Sequence, residues 1–154
     1  MSWDLRELYQ ETILDHQKNP RGKGPLPEFT HEATGFNPLC GDRVQIQLRV
    51  VGNSIEATRF TGEGCAICMS SASMMTERCQ HVSREEALRL FERIQRFLTV
   101  QEEALDLDAE AEELGDLVAL GGVRRLPVRI KCANLPWHTL RSALEGGEVA
   151  STES

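Results

Sequence analysis

The sequence predicts an α+β fold in which a small antiparallel sheet of about three strands is packed by helices. Apolar and polar residues alternate over residues 44–50, which is the period of a half-buried strand. Residues 54–61 follow the turn-forming pair Gly52-Asn53 and predict the returning strand of a hairpin. Residues near 29–35 are expected to add the third strand. Apolar stripes of helical period flank this hairpin on both sides, which is typical of a sheet covered by helices.

Five segments predict helices: residues 3–17, 66–80 and 83–98, a short stretch within the acidic segment described below, and Val128 to Leu144. Asn19-Pro20 ends the first helix. Ser83 and Glu86 have the spacing of a capping box and begin the third. Pro136 lies inside the last helix, where it removes one helical hydrogen bond and predicts a kink or a restart.

The chain of 154 residues is the size of one domain, which we place at residues 1–145. Residues 146–154 are small and polar, and we expect a frayed tail there. No stretch approaches the roughly 20 apolar residues that span a bilayer, so no membrane partner is expected. The first residues contain neither the basic nor the apolar run of a secretory signal, which predicts a cytoplasmic protein.

The charge of the chain is concentrated in one place. Lys and Arg number 17 and Asp and Glu number 24, a net charge of −7. Residues 102–116 contain eight of the acidic residues and no Lys or Arg. An acidic chain without a basic run argues against nucleic acid as a partner. The acidic segment is either a solvated helix face or a docking surface for a basic partner, and the sequence leaves both open.

The chain contains five cysteines, at positions 40, 65, 68, 79 and 132. Their odd number, without an export signal, favours thiol chemistry or metal binding over a disulfide framework. Three of them lie where functional groups collect on a scaffold. Cys40 precedes the first clear strand, Cys65 lies where the second strand gives way to a helix, and Cys132 lies in the first turns of the last helix.

Three thiolates and one carboxylate can form a tetrahedral zinc site, and Asp42 is the carboxylate closest in sequence to Cys40. The cysteine gaps of 25 and 67 residues must be closed by tertiary structure, so separate buried thiols remain the alternative. Arg129 and Lys131 are candidate counterions for such an anionic site. A thiol near a helix N-terminus is also more readily ionised.

For Cys68 and Cys79 the sequence predicts packing in the core and not metal binding. Cys65 and Cys68 have the Cys-x-x-Cys spacing of redox and zinc pairs. On a helix, however, positions 65, 68, 72, 75 and 79 share one face, and that face is soft and apolar. We therefore expect Cys68 and Cys79 to pack in the core.

Taken in order, four motifs resemble the U-type iron–sulfur cluster assembly proteins, the IscU/NifU-like family. They lie at residues 13–21, 37–42, 62–67 and 129–132, and the resemblance extends over residues 5–145. Lys131 stands where the scaffold branch, IscU, has a His. The acidic stretch around residues 100–120 resembles an insertion of the SufU branch. The chain is therefore more similar to the SufU branch.

The resemblance implies an IscU-like fold and a function. It implies zinc as the cofactor, with Cys40, Asp42, Cys65 and Cys132 as ligands. It also implies that Cys40 accepts sulfur as a persulfide and that Arg129 acts beside it. The protein would then be a sulfurtransferase-type carrier whose partners are a PLP-dependent cysteine desulfurase and downstream iron–sulfur assembly proteins.

Two other functions remain open at the level of sequence. The same thiols could hold a nascent iron–sulfur cluster on a scaffold and pass it on. Alternatively, the chain could be a structural zinc domain that only binds a partner.

Cys68 departs from the family pattern, because a Ser or similar residue is expected there.

Overall fold

The computed structural model describes residues 2–146 and 149–151. Its α-helices are α1 (Ser2–Lys18), α2 (Ala66–Arg78), α3 (Arg84–Thr99), α4 (Leu107–Leu114) and α5 (Pro127–Leu144). Its strands are β1 (His31–Asn37), β2 (Asp42–Val51), β3 (Ser54–Glu63), β4 (Val82–Ser83) and β5 (Val149–Ser151). Two 3₁₀ segments, Glu102–Ala104 and Gly115–Val123, flank α4. None of the helices in the described residues is long and apolar enough to cross a membrane.

The sheet confirms the predicted α+β fold. Its strand order is β4-β3-β2-β1-β5, and the three long strands form an antiparallel meander. Gly52 turns the chain between β2 and β3 with φ of +62°, a conformation that glycine adopts without strain. The third strand, expected near residues 29–35, lies at His31–Asn37.

The tail differs from the prediction at three positions. Val149–Ser151 are not frayed but form β5, which pairs in parallel with Thr34–Phe36 of β1. Without β5, this side of β1 would be an open sheet edge with unpaired backbone groups. The other residues of the predicted tail, apart from Gly146, lie outside the described part of the chain.

The core lies between the sheet and helices α2 and α5. Val44, Ile46 and Leu48 of β2 alternate inward and are fully buried, as their period predicted. Trp137 of α5 is also fully buried, and its Nε1 donates a hydrogen bond of 3.2 Å to Ser71 Oγ of α2. This packing fixes α2 and α5 relative to each other, and each of these helices carries a cysteine near its N-terminus.

Helix α5 begins with Pro127 in its first turn and continues through Pro136 without a restart. Pro136 has no N–H, so the carbonyl of Cys132 loses its usual helical donor. The helix is held on both sides of this gap, because Leu135 and Trp137 are fully buried. Ser71 Oγ also donates a hydrogen bond of 2.7 Å to the carbonyl of Ala133, next to the gap.

The acidic segment is mostly a solvated surface with one exception. Six of its acidic side chains are exposed: Glu103, Asp106, Asp108, Glu112, Glu113 and Asp116. Glu110 is instead buried, and its carboxylate contacts Arg93 Nε at 3.1 Å and Arg96 Nη1 at 3.2 Å. Both arginines lie on α3, so this pairing fastens α4 to α3.

Candidate metal centre

Three of the predicted ligands lie close together. Cys40 lies in the turn between β1 and β2, Asp42 is the first residue of β2, and Cys132 lies in the second turn of α5. One ligand atom from each lies within 4.8 Å of the other two. The sulfur atoms of Cys132 and Cys40 are 3.2 Å apart. Tertiary structure therefore closes the gap of 92 residues between these thiols.

Cys65 joins this cluster through Asp42. It is the N-cap residue of α2, and its Sγ accepts a hydrogen bond of 3.5 Å from the Cys68 N–H. Its backbone N–H donates to Asp42 Oδ1 at 2.8 Å, and its Sγ lies 3.8 Å from Asp42 Oδ2. The close trio does not include Cys65, but the structure brings all four predicted ligand residues to one place.

The carboxylate of Asp42 packs closely against Gly64, which has no side chain to clash with it. Its side chain is buried against the loop that joins β3 to α2. A Cβ atom on Gly64 would lie 2.5 Å from Asp42 Oδ1, which is closer than such atoms approach in proteins. Gly64 therefore lets the loop approach Asp42 closely enough for the Cys65 N–H to bind the carboxylate.

Asn37 contacts two of the predicted ligands, and the sequence did not identify it as a functional residue. It is fully buried at the end of β1. Its Nδ2 donates to Asp42 Oδ2 at 3.3 Å and to Cys132 Sγ at 3.4 Å. An Asn before a Pro predicts a turn, and nothing local indicates that its amide faces a sulfur 95 positions away.

Cys132 holds its proton tightly in the absence of a cation. Burial raises the pKa of Cys132 far above its ordinary range, and the hydrogen bond with Asp42 raises it further. The exposed Arg129 guanidinium faces the same sulfurs. Its pKa is raised, first by the Cys65 thiolate and then by its hydrogen bond with Cys132. One arginine therefore faces a site with four groups that can become anionic.

The donor set of this cluster fits zinc. Three sulfur atoms and one carboxylate oxygen are the ligand number and ligand types of a tetrahedral Zn²⁺ site. Sulfur ligands select zinc over magnesium or calcium, which prefer oxygen. A divalent cation would also replace the proton that burial holds on Cys132.

Cys68 and Cys79 lie in the core, as their helical spacing predicted. Burial raises the pKa of both thiols, that of Cys79 to about 12, so they stay protonated at neutral pH. None of the five cysteines, all of which lie in described residues, forms a disulfide.

A second cluster of possible ligands lacks these properties. His16, Glu77 and Asp116 each offer an atom within 4.8 Å of the others. His16 is fully buried, with Nδ1 at 2.7 Å from Ser73 Oγ, and burial lowers its pKa. The guanidinium of Arg21 lies 3.9 Å from Glu77. The chain itself therefore places a cation beside these carboxylates.

The sulfur cluster is accessible from outside. Cys40 and Cys65 are half-buried, whereas Cys132 is fully buried. A cleft of about 1330 Å³ opens beside Cys65 and Arg129. Three exposed apolar side chains lie close to the site in the chain: Leu39, Leu126 and Val128.

The sequence identifies the family to which this architecture belongs. Residues 8–146 match the NifU-like N terminal domain. The chain belongs to this family. The NifU-like chain is 40% identical over 147 residues to the zinc-dependent sulfurtransferase SufU of Bacillus subtilis (strain 168), with 94% of this chain and 96% of the relative covered. It is 36% identical to the iron–sulfur cluster assembly scaffold protein IscU of Streptococcus pyogenes serotype M1, with 92% and 85% covered.

Solved structures confirm the NifU-like fold. A protein of 34% identity, described as hypothetical, superposes with a TM-score of 0.79 and covers 90% of this chain and 98% of its own. FiSufU from Fervidobacterium islandicum AW-1 is 31% identical, with a TM-score of 0.75 and coverage of 87% and 94%. The predicted resemblance to SufU-type members of the IscU/NifU-like family is therefore confirmed.

Proposed function

We propose that this NifU-like protein is a zinc-dependent sulfur acceptor that takes persulfide sulfur from a PLP-dependent cysteine desulfurase for iron–sulfur cluster assembly. The observation that carries the proposal is the convergence of Cys40, Asp42 and Cys132 from three separate elements, with Cys65 attached through Asp42. The similarity to a relative named zinc-dependent sulfurtransferase supports the same function.

In this proposal the zinc ligands are Cys40, Asp42, Cys65 and Cys132. When bound, zinc would keep the thiols deprotonated and protect them from oxidation. Asp42 organises the site, because it accepts the Cys65 N–H and the Asn37 amide while its oxygen faces the sulfurs.

Cys40 is the proposed sulfur acceptor. It is half-buried in the short turn between β1 and β2, beside the exposed Leu39. Cys132 is fully buried, so a cysteine of a partner protein cannot reach it without moving α5. Cys65 is half-buried but caps α2. Its displacement would break the hydrogen bond that its Sγ accepts from the Cys68 N–H. The turn can move at lower cost than either helix.

The transfer is a thiol–persulfide exchange. The Cys40 thiolate attacks the outer sulfur of the desulfurase persulfide, forming a new S–S bond at Cys40. The S–S bond in the desulfurase breaks at the same time, and its cysteine leaves as a thiolate. The sulfane sulfur changes carrier without a net gain or loss of electrons.

Arg129 is proposed to assist at the same place. Its guanidinium faces the Cys65, Cys132 and Cys40 sulfurs from the exposed side of α5. A fixed positive charge there stabilises the thiolate before the attack and the persulfide anion after it. It would also attract an anionic persulfide to the site.

The proposal is tested by mapping sulfur on the protein. The zinc-loaded protein is incubated with a cysteine desulfurase and cysteine, alkylated, and examined by mass spectrometry. We expect one extra sulfur on Cys40 and none in Cys40→Ala, which should also fail to accelerate the desulfurase. Cys79→Ala is the matched control, because it removes a thiol remote from the cluster. Sulfur uptake and acceleration by Cys40→Ala at the wild-type level would contradict the proposal.

A scaffold function is the alternative, and the relatives named IscU favour it. The same three sulfurs and carboxylate could hold an iron–sulfur cluster. Reconstitution with iron and sulfide separates the two functions. A stable cluster with visible absorbance that passes to an acceptor protein supports the scaffold, whereas a colourless protein that keeps its zinc supports the sulfur acceptor.

A further inference from the structure

Asn37 is the residue through which three of the four proposed ligands are connected. Its side-chain amide donates to Asp42 and to Cys132. Its backbone carbonyl accepts a hydrogen bond of 3.2 Å from the Cys40 N–H and closes the turn. Pro38 occupies the next position of this turn, where its fixed φ is favourable. Asn37 thus has two separate roles, one through its backbone and one through its amide.

The orientation of the Asn37 amide follows from its neighbours. A carboxylate oxygen and a thiolate sulfur are both acceptors, so the NH₂ group must face them. The reversed amide would direct its oxygen at two electron-rich atoms. In the present orientation Nδ2 is bound and Oδ1 is buried without a hydrogen-bond partner. An unpaired buried carbonyl is costly, which indicates that the two donated bonds determine the orientation.

We propose that Asn37 is a positioning residue whose amide holds Asp42 and Cys132 in the metal site and so leaves Cys40 as the ligand that departs to accept sulfur. The inference rests on the proposed function and deepens it. In the described residues the amide donates to Cys132 and not to Cys40. An N–H···S bond withdraws charge from the sulfur that accepts it, so Cys132 becomes the weaker nucleophile of the two.

Two substitutions of Asn37 test the role of its amide separately from its role in the turn. Asp and Ser, like Asn, are favoured at the first position of this kind of turn. Asn37→Asp replaces the amide donor with a carboxylate that faces Asp42 and Cys132. Asn37→Ser leaves only a short hydroxyl in the same place. If Asn37 only forms the turn, both variants should behave as the wild type.

The matched control is Asn53→Asp. Asn53 also lies in a turn between two strands, and its Nδ2 also donates to a carboxylate, that of Glu85. The same chemical change is thus made at a distance from the thiols. Unfolding midpoints of the zinc-free proteins establish that the N37D, N37S and N53D variants are folded before their metal binding is compared.

The test measures zinc affinity by competition with a chelator and then maps the persulfide by mass spectrometry. We expect N37S to lose about tenfold and N37D about 10–100-fold in zinc affinity, while N53D is unchanged. We also expect Co²⁺-substituted N37D to show altered sulfur-to-cobalt charge-transfer bands. In both Asn37 variants part of the persulfide should pass from Cys40 to Cys132, whose sulfur lies 3.2 Å from that of Cys40.

Wild-type zinc affinity in N37D and N37S, with persulfide on Cys40 alone, would overturn the inference. A different result is expected if the proposed sulfur-acceptor function itself is wrong. In that case the wild-type protein itself carries no persulfide on any cysteine, while the order of zinc affinities among the Asn37 variants still reports on the amide.

Discussion

Two buried carboxylates in this molecule solve the same electrostatic problem in different ways. Asp42 and Glu110 are each 2% exposed. Glu110 contacts the guanidinium groups of Arg93 and Arg96, so the chain supplies the positive charge itself. Asp42 instead accepts hydrogen bonds from neutral donors, the Asn37 amide and the Cys65 backbone, and it lies among thiols.

The difference explains what each region does. A carboxylate paired within the chain needs nothing further and fastens one helix to another. Asp42 lies among thiols whose sulfurs the exposed Arg129 faces, and the proposed zinc would add positive charge there. The same reasoning separates the cluster at His16 from the proposed metal centre, because Arg21 already lies beside Glu77 there.

The largest expected effect comes from removing the carboxylate of the metal centre. Asp42→Ala should weaken zinc binding by at least about 100-fold, because it removes a ligand and the acceptor of the Cys65 N–H. Chelator competition measures the change. Glu110→Ala removes an equally buried carboxylate and should keep wild-type zinc affinity. Equal losses in the two variants would show that burial of any carboxylate, and not the cluster, controls the metal.

The next largest effect is expected at the other buried carboxylate, Glu110. Glu110→Gln should lower the free energy of unfolding by about 1.5–3 kcal/mol, because it weakens charged hydrogen bonds to Arg93 and Arg96. Both arginines can turn toward water, which limits the loss. Denaturant titration of the zinc-loaded protein measures it. An unchanged unfolding midpoint would contradict a structural role for this pair.

A smaller effect is expected at Gly64, which lets the loop between β3 and α2 lie close to Asp42. Gly64→Ala places a Cβ 2.5 Å from Asp42 Oδ1, so the carboxylate or the loop must shift. We expect a loss of about tenfold in zinc affinity. Gly122→Ala is the control, because no heavy atom lies within 4 Å of the added Cβ. Undiminished zinc binding by Gly64→Ala would show that the site tolerates displacement of Asp42.

The smallest effect concerns a thiol outside the proposed metal site, that of Cys79. Burial raises the pKa of Cys79 from 9.0 to about 12 in the folded protein. The unfolded chain therefore loses this proton near pH 9 while the folded chain keeps it. Stability is fully present below pH 9 and falls above it, by up to about 1.4 kcal/mol per pH unit for this one group.

Cys79→Ala isolates that contribution. Unfolding free energies of the variant and the wild type, measured from about pH 8 to about pH 10.5, should show a shallower decline for the variant. The comparison cancels the other groups that titrate in this range. Parallel curves for the two proteins would mean that the Cys79 thiol ionises as readily in the folded protein as in the unfolded chain.

Much of the fold could be predicted because the relevant signals are local. The alternation in β2 and the helical stripe of α3 follow directly from the period of the apolar residues. Ser83 accepts the Glu86 N–H at 3.0 Å, as the capping motif predicts. β5 was missed because three small or apolar residues form a strand only when an open edge is available.

The proposed ligands could be selected from the sequence, whereas the residues that contact them could not. Cysteines and an aspartate are conspicuous by their chemistry. Asn37 and Gly64 are ordinary turn and loop residues, and their contacts depend on which atoms the fold places opposite them. Glu110 was hidden for the same reason, since its sequence neighbours are also acidic and its partners lie on another helix.

The most direct test is the metal content of the purified protein, measured together with its visible absorption spectrum. We expect one zinc per chain and a colourless protein that accepts sulfur on Cys40. Iron and sulfide in stoichiometric amounts with visible absorbance, or thiols that bind no metal at all, would contradict a zinc-dependent acceptor.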